Sequence, residues 1–315
     1  MSCTAGRPMH TAIVTIRRPY LLVAALVAVT ALAAAGCGGS SIVVPELTSF
    51  TSVARKSASA DSARFALELS MTVPGAAKPV SFSATGAFDT PAERSQVTVD
   101  LSSVAELLTS AGSSLGGTTT GGLGSPADWK LDTIQDGQTA YIHFPLLANE
   151  LPEGKTWIKG DAAALAGAHA GRLSRFGSLA GTDPRDTLAM LKAVSGSIEA
   201  VGSDTIRGVE TSHYRATIDT AKLEQLVPAA QRQTLGGLDQ GAKQAGLTQI
   251  PLDVWIGADQ LVRKLSVDVD TTQPGTGQAV KASFVVELYD YGQPLDLQLP
   301  PADQVVDAST LKPTA

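Results

Sequence analysis

Arg64-Phe65-Ala66-Leu67-Glu68-Leu69-Ser70-Met71-Thr72-Val73 decides the fold. Phe65, Leu67, Leu69, Met71 and Val73 are apolar, while Arg64, Glu68, Ser70 and Thr72 are polar. A period of two with one wet side is the mark of an antiparallel strand covered on one side only. Working outward, the pattern returns at Val80, Phe82, Ala84 and Phe88 against Ser81, Ser83 and Thr85. It returns again at Val97, Val99 and Leu101 against Gln96, Thr98 and Asp100. Towards the C-terminus Leu252, Val254 and Ile256 alternate with Asp253 and Trp255. Ala258-Asp259-Gln260 turns the chain, and Leu265, Val267 and Val269 then alternate with Lys264, Ser266, Asp268 and Asp270. Ala279 to Tyr289 reads as the last strand.

Between these blocks, Asp136-Gly137 joins Trp129–Gln135 to Thr139–Phe144 as a hairpin, the dipeptide supplying the positive φ that a tight turn needs. A short strand is expected at Thr156–Lys159, and a strand pair at Ser197–Val201 and Val209–Ile218 around Gly202-Ser203-Asp204. Helical signals fall at Glu46–Ala58, at the amphipathic Val104, Leu107 and Leu108, along Ala-rich Asp161–Arg175, and at Thr220–Val227. Another helix opens at Asp183-Pro184, cap then first turn, and runs to about Val194. Ala229–Ala245 is a weaker helix broken by Gly236-Gly237 and Gly241, and Gly112–Gly124 is a Gly/Ser/Thr loop. No internal repeat stands out. The sequence therefore predicts nine or ten strands in meander order with helices between pairs. The fold class is α+β: one curved antiparallel sheet whose apolar face is hidden under the helices.

The N-terminus carries a separate message. Arg17-Arg18 precede an apolar run from Tyr20 to Ala35, and Ala34-Ala35-Gly36 lead into Cys37. A positive segment, an apolar core and small residues at a cleavage point describe a secretory signal. A cysteine directly after them describes a bacterial lipoprotein signal, cut before Cys37 and acylated on its thiol, although Ala34 stands where leucine is commonest. The run is shorter than the roughly 20 residues that span a bilayer. Two or three acyl chains, at about 0.8 kcal/mol per buried CH₂, hold a protein at a membrane. The expected organisation is a signal peptide at 1–36, a Gly/Ser tether at 37–45, one domain at 46–302 and a frayed tail at 303–315, anchored on the extracytoplasmic face of the cell membrane.

Composition narrows the function. The formal net charge is −6, and residues 1–36 contain Arg7, Arg17 and Arg18 but no acid, so the mature part is more acidic still. With no basic run longer than a pair such as Arg263-Lys264, nucleic acid is excluded as a partner. Cys3 leaves with the signal and Cys37 is acylated, so no disulfide, thiolate ligand or catalytic cysteine is expected. Gly112-Ser113-Ser114-Leu115-Gly116 matches G-x-S-x-G, but in a loop composition rather than a strand–turn–helix. His143, His169 and His213 lack zinc spacing, and Asp132 to Asp136-Gly137 fails as a calcium loop because Ile134 occupies a ligand position. No catalytic residue, metal or cofactor is assigned, and nothing demands an enzyme.

The expected cover is built from small residues, including Ala162–Ala164, Ala166, Gly167, Ala229, Ala230 and Ala242. Small side chains over Phe, Leu, Val and Met admit two readings: an unfilled apolar cavity for a lipophilic ligand, or close helix–sheet packing. Trp157-Ile158-Lys159, then Asp183-Pro184 with Leu188 and Leu191, then Gly208-Val209-Glu210-Thr211-Ser212-His213-Tyr214 follow one another in order. Leu252-Asp253-Val254-Trp255-Ile256 with Leu261-Val262-Arg263-Lys264 completes the series. In order and spacing these resemble the actinobacterial LppX/LprG-type lipoproteins, relatives in fold of the LolA and LolB carriers, over roughly Leu47 to Leu299. The resemblance implies a half-barrel sheet, helices over its mouth, and a cavity for acyl chains of a glycolipid or phospholipid. It supplies no catalytic residues. The residues expected to line that cavity are Leu67, Leu69, Phe82, Val97, Val99, Leu252, Val254, Leu265 and Val267. The chain departs from the family in its 112–124 loop and its Gly-broken 229–245 segment. The alternative is a non-enzymatic envelope scaffold that holds a protein partner and has a filled core.

Overall fold

The computed structural model describes residues 47–72, 78–110, 125–145, 147, 151–162, 165, 184–226, 247–272, 277 and 279–311. Strands are β1 Ser62–Met71, β2 Val80–Asp89, β3 Arg94–Asp100, β4 Lys130–Asp136, β5 Thr139–His143 and β6 Trp157–Asp161. They continue as β7 Val194–Ile206, β8 Val209–Asp219, β9 Gln249–Gly257, β10 Val262–Thr272, β11 Ala279–Tyr289 and β12 Val305–Asp307. Helices are α1 Leu47–Ala58, α2 Ser102–Ser110, α3 Pro184–Thr187 and α4 Thr220–Leu226.

The strands form one open sheet in the order β12-β6-β5-β4-β3-β2-β1-β11-β10-β9-β8-β7. The chain starts at the centre with β1, meanders to β6, resumes at the far edge with β7, and meanders back until β11 closes on β1. Every pairing is antiparallel except β12 with β6. The sheet coils strongly, as right-handed strand twist requires. Arg207 in the β7–β8 turn reaches back across β9 and β10 to put its Nε 2.6 Å from Glu287 Oε2 on β11. The fold is α+β with an unclosed sheet, as the alternation predicts.

Four details differ from the sequence expectation. The described residues alone form twelve strands, more than the nine or ten expected. The tail after Pro301 is not frayed throughout: Val305–Asp307 pairs in register with Trp157–Lys159, and Lys155 Nζ donates to Asp303 O at 2.7 Å. β7 runs on to Ile206, so Gly202-Ser203-Asp204 lies within a strand, opposite Thr211 to His213. The turn is Arg207-Gly208, with φ of 47° and 80°. The register shifts between Ala200 and Gly202, a bulge that turn-like residues accommodate without ending the strand. The helix opened by Pro184 stops at Thr187 and tightens into a 3₁₀ segment, Leu188–Lys192.

Local chemistry sets the remaining ends. Asp219 Oδ1 accepts from the backbone N–H groups of Ala221 and Lys222, satisfying donors that the first turn of α4 leaves free. α1 is tied to the sheet by Ser57, whose Oγ accepts from Val262 N–H at 2.9 Å while donating to Val53 O. Among the described residues, no helix is long and apolar enough to cross a membrane. Cys37, the 112–124 loop with its G-x-S-x-G string, Asp183, and the 229–245 helix lie outside the described residues. So does most of the Ala-rich 161–175 segment.

Candidate functional site

Alternation places every second side chain on one face, and register aligns those faces from strand to strand. The result is a continuous apolar row: Leu131, Val99, Ala84, Leu67, Val286, Leu265, Val254, Tyr214 and Ala200 stand opposite one another across nine strands. A second row runs Phe82, Leu69, Phe284 and Val267. A third runs Val80, Met71, Ala282 and Val269. All nine residues expected from the sequence lie on this face. Leu131, Tyr214, Phe284 and Val286 belong to it as well. They obey the same alternation, and only the register showed that they align with the others.

Burial along the face is graded. Leu252, Val254 and Leu265 are 0 % exposed, and Val97, Val99 and Val267 are also buried. Leu67, Leu69, Phe82 and Val269 are only partly buried, packed against the rim of the core. Along β1 the change is directional: Ala63 and Phe65 are buried, whereas Leu67, Leu69 and Met71 are not fully covered. The β8–β10 half is roofed by Phe50, Val53 and Ala54 of α1 and by Leu188, Met190 and Leu191. Phe50 meets Tyr214 edge-on at 5.9 Å between centroids. α2 lies against β2, where Ser103 Oγ accepts from the Ser81 N–H at 3.1 Å, and its Ala105 joins the same core as Trp129, which meets Phe144 edge-on at 6.5 Å. The partly buried side chains Leu67, Leu69, Phe82 and Val269 on β1, β2 and β10 continue this core without being closed over completely.

The other face is polar, and its two histidines are each held by an acid and an indole. His143 Nδ1 lies 3.1 Å from Asp132 Oδ2, Thr98 Oγ1 donates to Asp132 Oδ1 at 2.6 Å, and the His143 ring lies 5.3 Å from Trp157. The hydrogen bond from His143 holds the Asp132 carboxyl below the usual carboxylate range; Thr98 adds to the effect and partial burial opposes it. His213 Nε2 lies 2.7 Å from Asp253 Oδ1 and stacks on Trp255 at 4.1 Å, while the Trp255 indole N–H donates to Asp204 at 2.8 Å. These contacts crosslink strands, in keeping with a structural role for His213. Among the described residues, no group of three or more His, Cys, Asp or Glu is placed to hold a metal ion. From β11 the segment Leu295–Leu299 runs past Asp89, Ala92 and Arg94, enclosing a cleft of about 350 Å³, and leads to β12.

The chain is similar to two solved mycobacterial lipoproteins. LppX from Mycobacterium tuberculosis matches 80% of this chain and 98% of its own at 14% identity and a TM-score of 0.41. LprF from Mycobacterium bovis matches 82% of this chain and 99% of its own at 14% identity and a TM-score of 0.43. A curated relative, an uncharacterized 31.2 kDa protein of the rplA–rplJ intergenic region in Streptomyces griseus, is 27% identical over 157 residues. That match spans 49% of this chain and 48% of the relative, about half the length of each. No family model matches the chain.

Proposed function

We propose that this chain is an exported lipoprotein that shelters the acyl chains of a membrane lipid on the apolar face of its sheet. In this reading it carries or presents that lipid outside the cytoplasmic membrane. The observation that carries the reading is the partly exposed apolar strip Leu67, Leu69, Phe82 and Val269, which is continuous with a fully buried row. Large apolar side chains in the middle of a sheet are ordinarily closed over, because exposed hydrocarbon costs about 25 cal/mol per Å². A strip left available there suits a hydrocarbon ligand. The sequence supports export and anchoring through Arg17-Arg18, the apolar run and Cys37.

Transfer of this kind makes and breaks no bond. Burial of the chains supplies the free energy of binding, and release needs an acceptor that buries them as well. The lipid is a glycolipid or a phospholipid, taken up by its tails. The test is uptake of 11-(dansylamino)undecanoic acid by the mature chain carrying Cys37→Ala. Enhanced, blue-shifted emission is expected, with loss of that signal in Leu69→Trp, whose indole occupies the strip. Unchanged emission on titration contradicts the reading.

A further inference from the structure

We propose that the polar side of β2, β1 and β11 binds a neutral polyhydroxylated ligand, a saccharide ring, in a cleft opposite the apolar strip. The cleft has a volume of about 300 Å³; seven of its lining residues, Glu68, Ser70, Ser81, Ser83, Asp100, Ser283 and Val285, share the polar face by register, and Leu69 and Phe82, which alternate with them along β1 and β2, also touch it. Register makes its floor a regular grid. Ser81, Ser70 and Ser283 stand side by side on three adjacent strands, and Ser83, Glu68 and Val285 form the next row. Asp100 on β3 faces Ser83 and forms the wall. Neighbouring strands lie about 4.8 Å apart, and successive same-face residues on a strand are about 6.7 Å apart. The grid thus presents several hydrogen-bonding groups across an area comparable to that of a sugar ring.

The lining selects the ligand class. Serine hydroxyls both donate and accept, which matches another hydroxyl and no charged group in particular. Among the described residues, the side chains of Glu68, Ser70, Ser83 and Ser283 make no hydrogen bond or ion pair of their own. Two carboxylates add strong acceptors for a vicinal pair of hydroxyls. Partial burial works against ionisation of Asp100, but hydrogen bonds from the Ser102 hydroxyl and backbone N–H prevail and hold its carboxyl below the usual range. Among the described residues, no cationic side chain lines the cleft, so phosphate and sulfate are disfavoured. Val285 offers an apolar patch to the C–H face of a ring. None of this depends on what the apolar face binds.

The test is saturation-transfer NMR on the mature chain with methyl α-D-glucopyranoside, octyl β-D-glucoside below its micellar concentration, and choline. Transfer to the ring protons of either glucoside is expected, weakened roughly fivefold in Ser70→Val and in Ser283→Val, as loss of single hydrogen bonds predicts. Both variants should keep the wild-type circular dichroism melt, since both sites face solvent. Binding of the methyl glycoside identifies a site for free sugar. Binding of the octyl glycoside alone, with ring transfer weakened in Ser70→Val, identifies a lipid headgroup site. No transfer from either glucoside at millimolar concentration, transfer indifferent to both variants, or binding of choline instead overturns the proposal.

Discussion

Leu67 on β1 stands directly opposite Val286 on β11, at the seam where the two halves of the sheet meet. Val286 is buried, with 1% exposure, whereas Leu67 is only partly covered. Burial along this row therefore changes across the seam itself. Leu67→Ala and Val286→Ala should differ in consequence. Val286→Ala should cost about 1–3 kcal/mol in urea unfolding, through lost burial and a residual cavity. Leu67→Ala should cost less than half as much, yet weaken fatty-acid uptake more. Equal losses of stability would show that Leu67 is packed in a closed core.

Gly86 on β2 pairs with Phe65 on β1. A Cβ at Gly86 would meet the Gln96 carbonyl oxygen and come within 2.6 Å of Phe65 Cζ. Neither neighbour is free to give way, since one is backbone and the other is a buried ring. Gly86→Ala should lower stability by about 1–3 kcal/mol, as overpacking does. A thermal melt within a degree of wild type would show that the Phe65 ring has room to move.

Asp132 carries a pH dependence with an identifiable cause. Its folded carboxyl is held down by His143 and Thr98, so its contribution is present above the unfolded carboxylate range, near pH 4. That contribution is lost as pH falls through the lower, folded value. Asp132→Asn should therefore cost roughly 1 kcal/mol at pH 7, and the gap to wild type should close progressively below about pH 4. Chemical denaturation across that range checks it. A gap independent of pH would mean that the site acts through shape alone.

Cys37→Ala should shift the protein from the membrane pellet to the soluble fraction after expression in a bacterial host, with the signal peptide retained or cleaved elsewhere. Wild type should stay in the pellet and release on detergent extraction. Unchanged fractionation would assign membrane attachment to something other than acylation of Cys37.

Much of the sheet was legible because its strands each cover only one face. Alternation at Phe65 to Met71, Val80 to Phe88 and Leu265 to Val269 marks both strand and orientation, and so located much of the apolar face. Three things were not legible, each for a physical reason. Val305–Asp307 is too short to show a period, and its pairing with Trp157–Lys159 is a long-range parallel contact. The extent of β7 was hidden because Gly202, Ser203 and Asp204 carry turn chemistry, while the bulge beside Gly202 lets them stay in the ladder. The polar cleft was hidden because serines on a wet face look the same whether they meet water or a ligand. Only register places Ser81, Ser70 and Ser283 side by side.

The account rests on hydrocarbon occupying the partly exposed apolar strip. Native mass spectrometry of the mature chain carrying Cys37→Ala, purified from a bacterial envelope without delipidation, tests this most directly. The account predicts adducts of glycolipid or phospholipid mass that are displaced by added fatty acid and are absent from Leu69→Trp. Protein at its bare mass alone, with a wild-type melt and no uptake of added lipid, would contradict it.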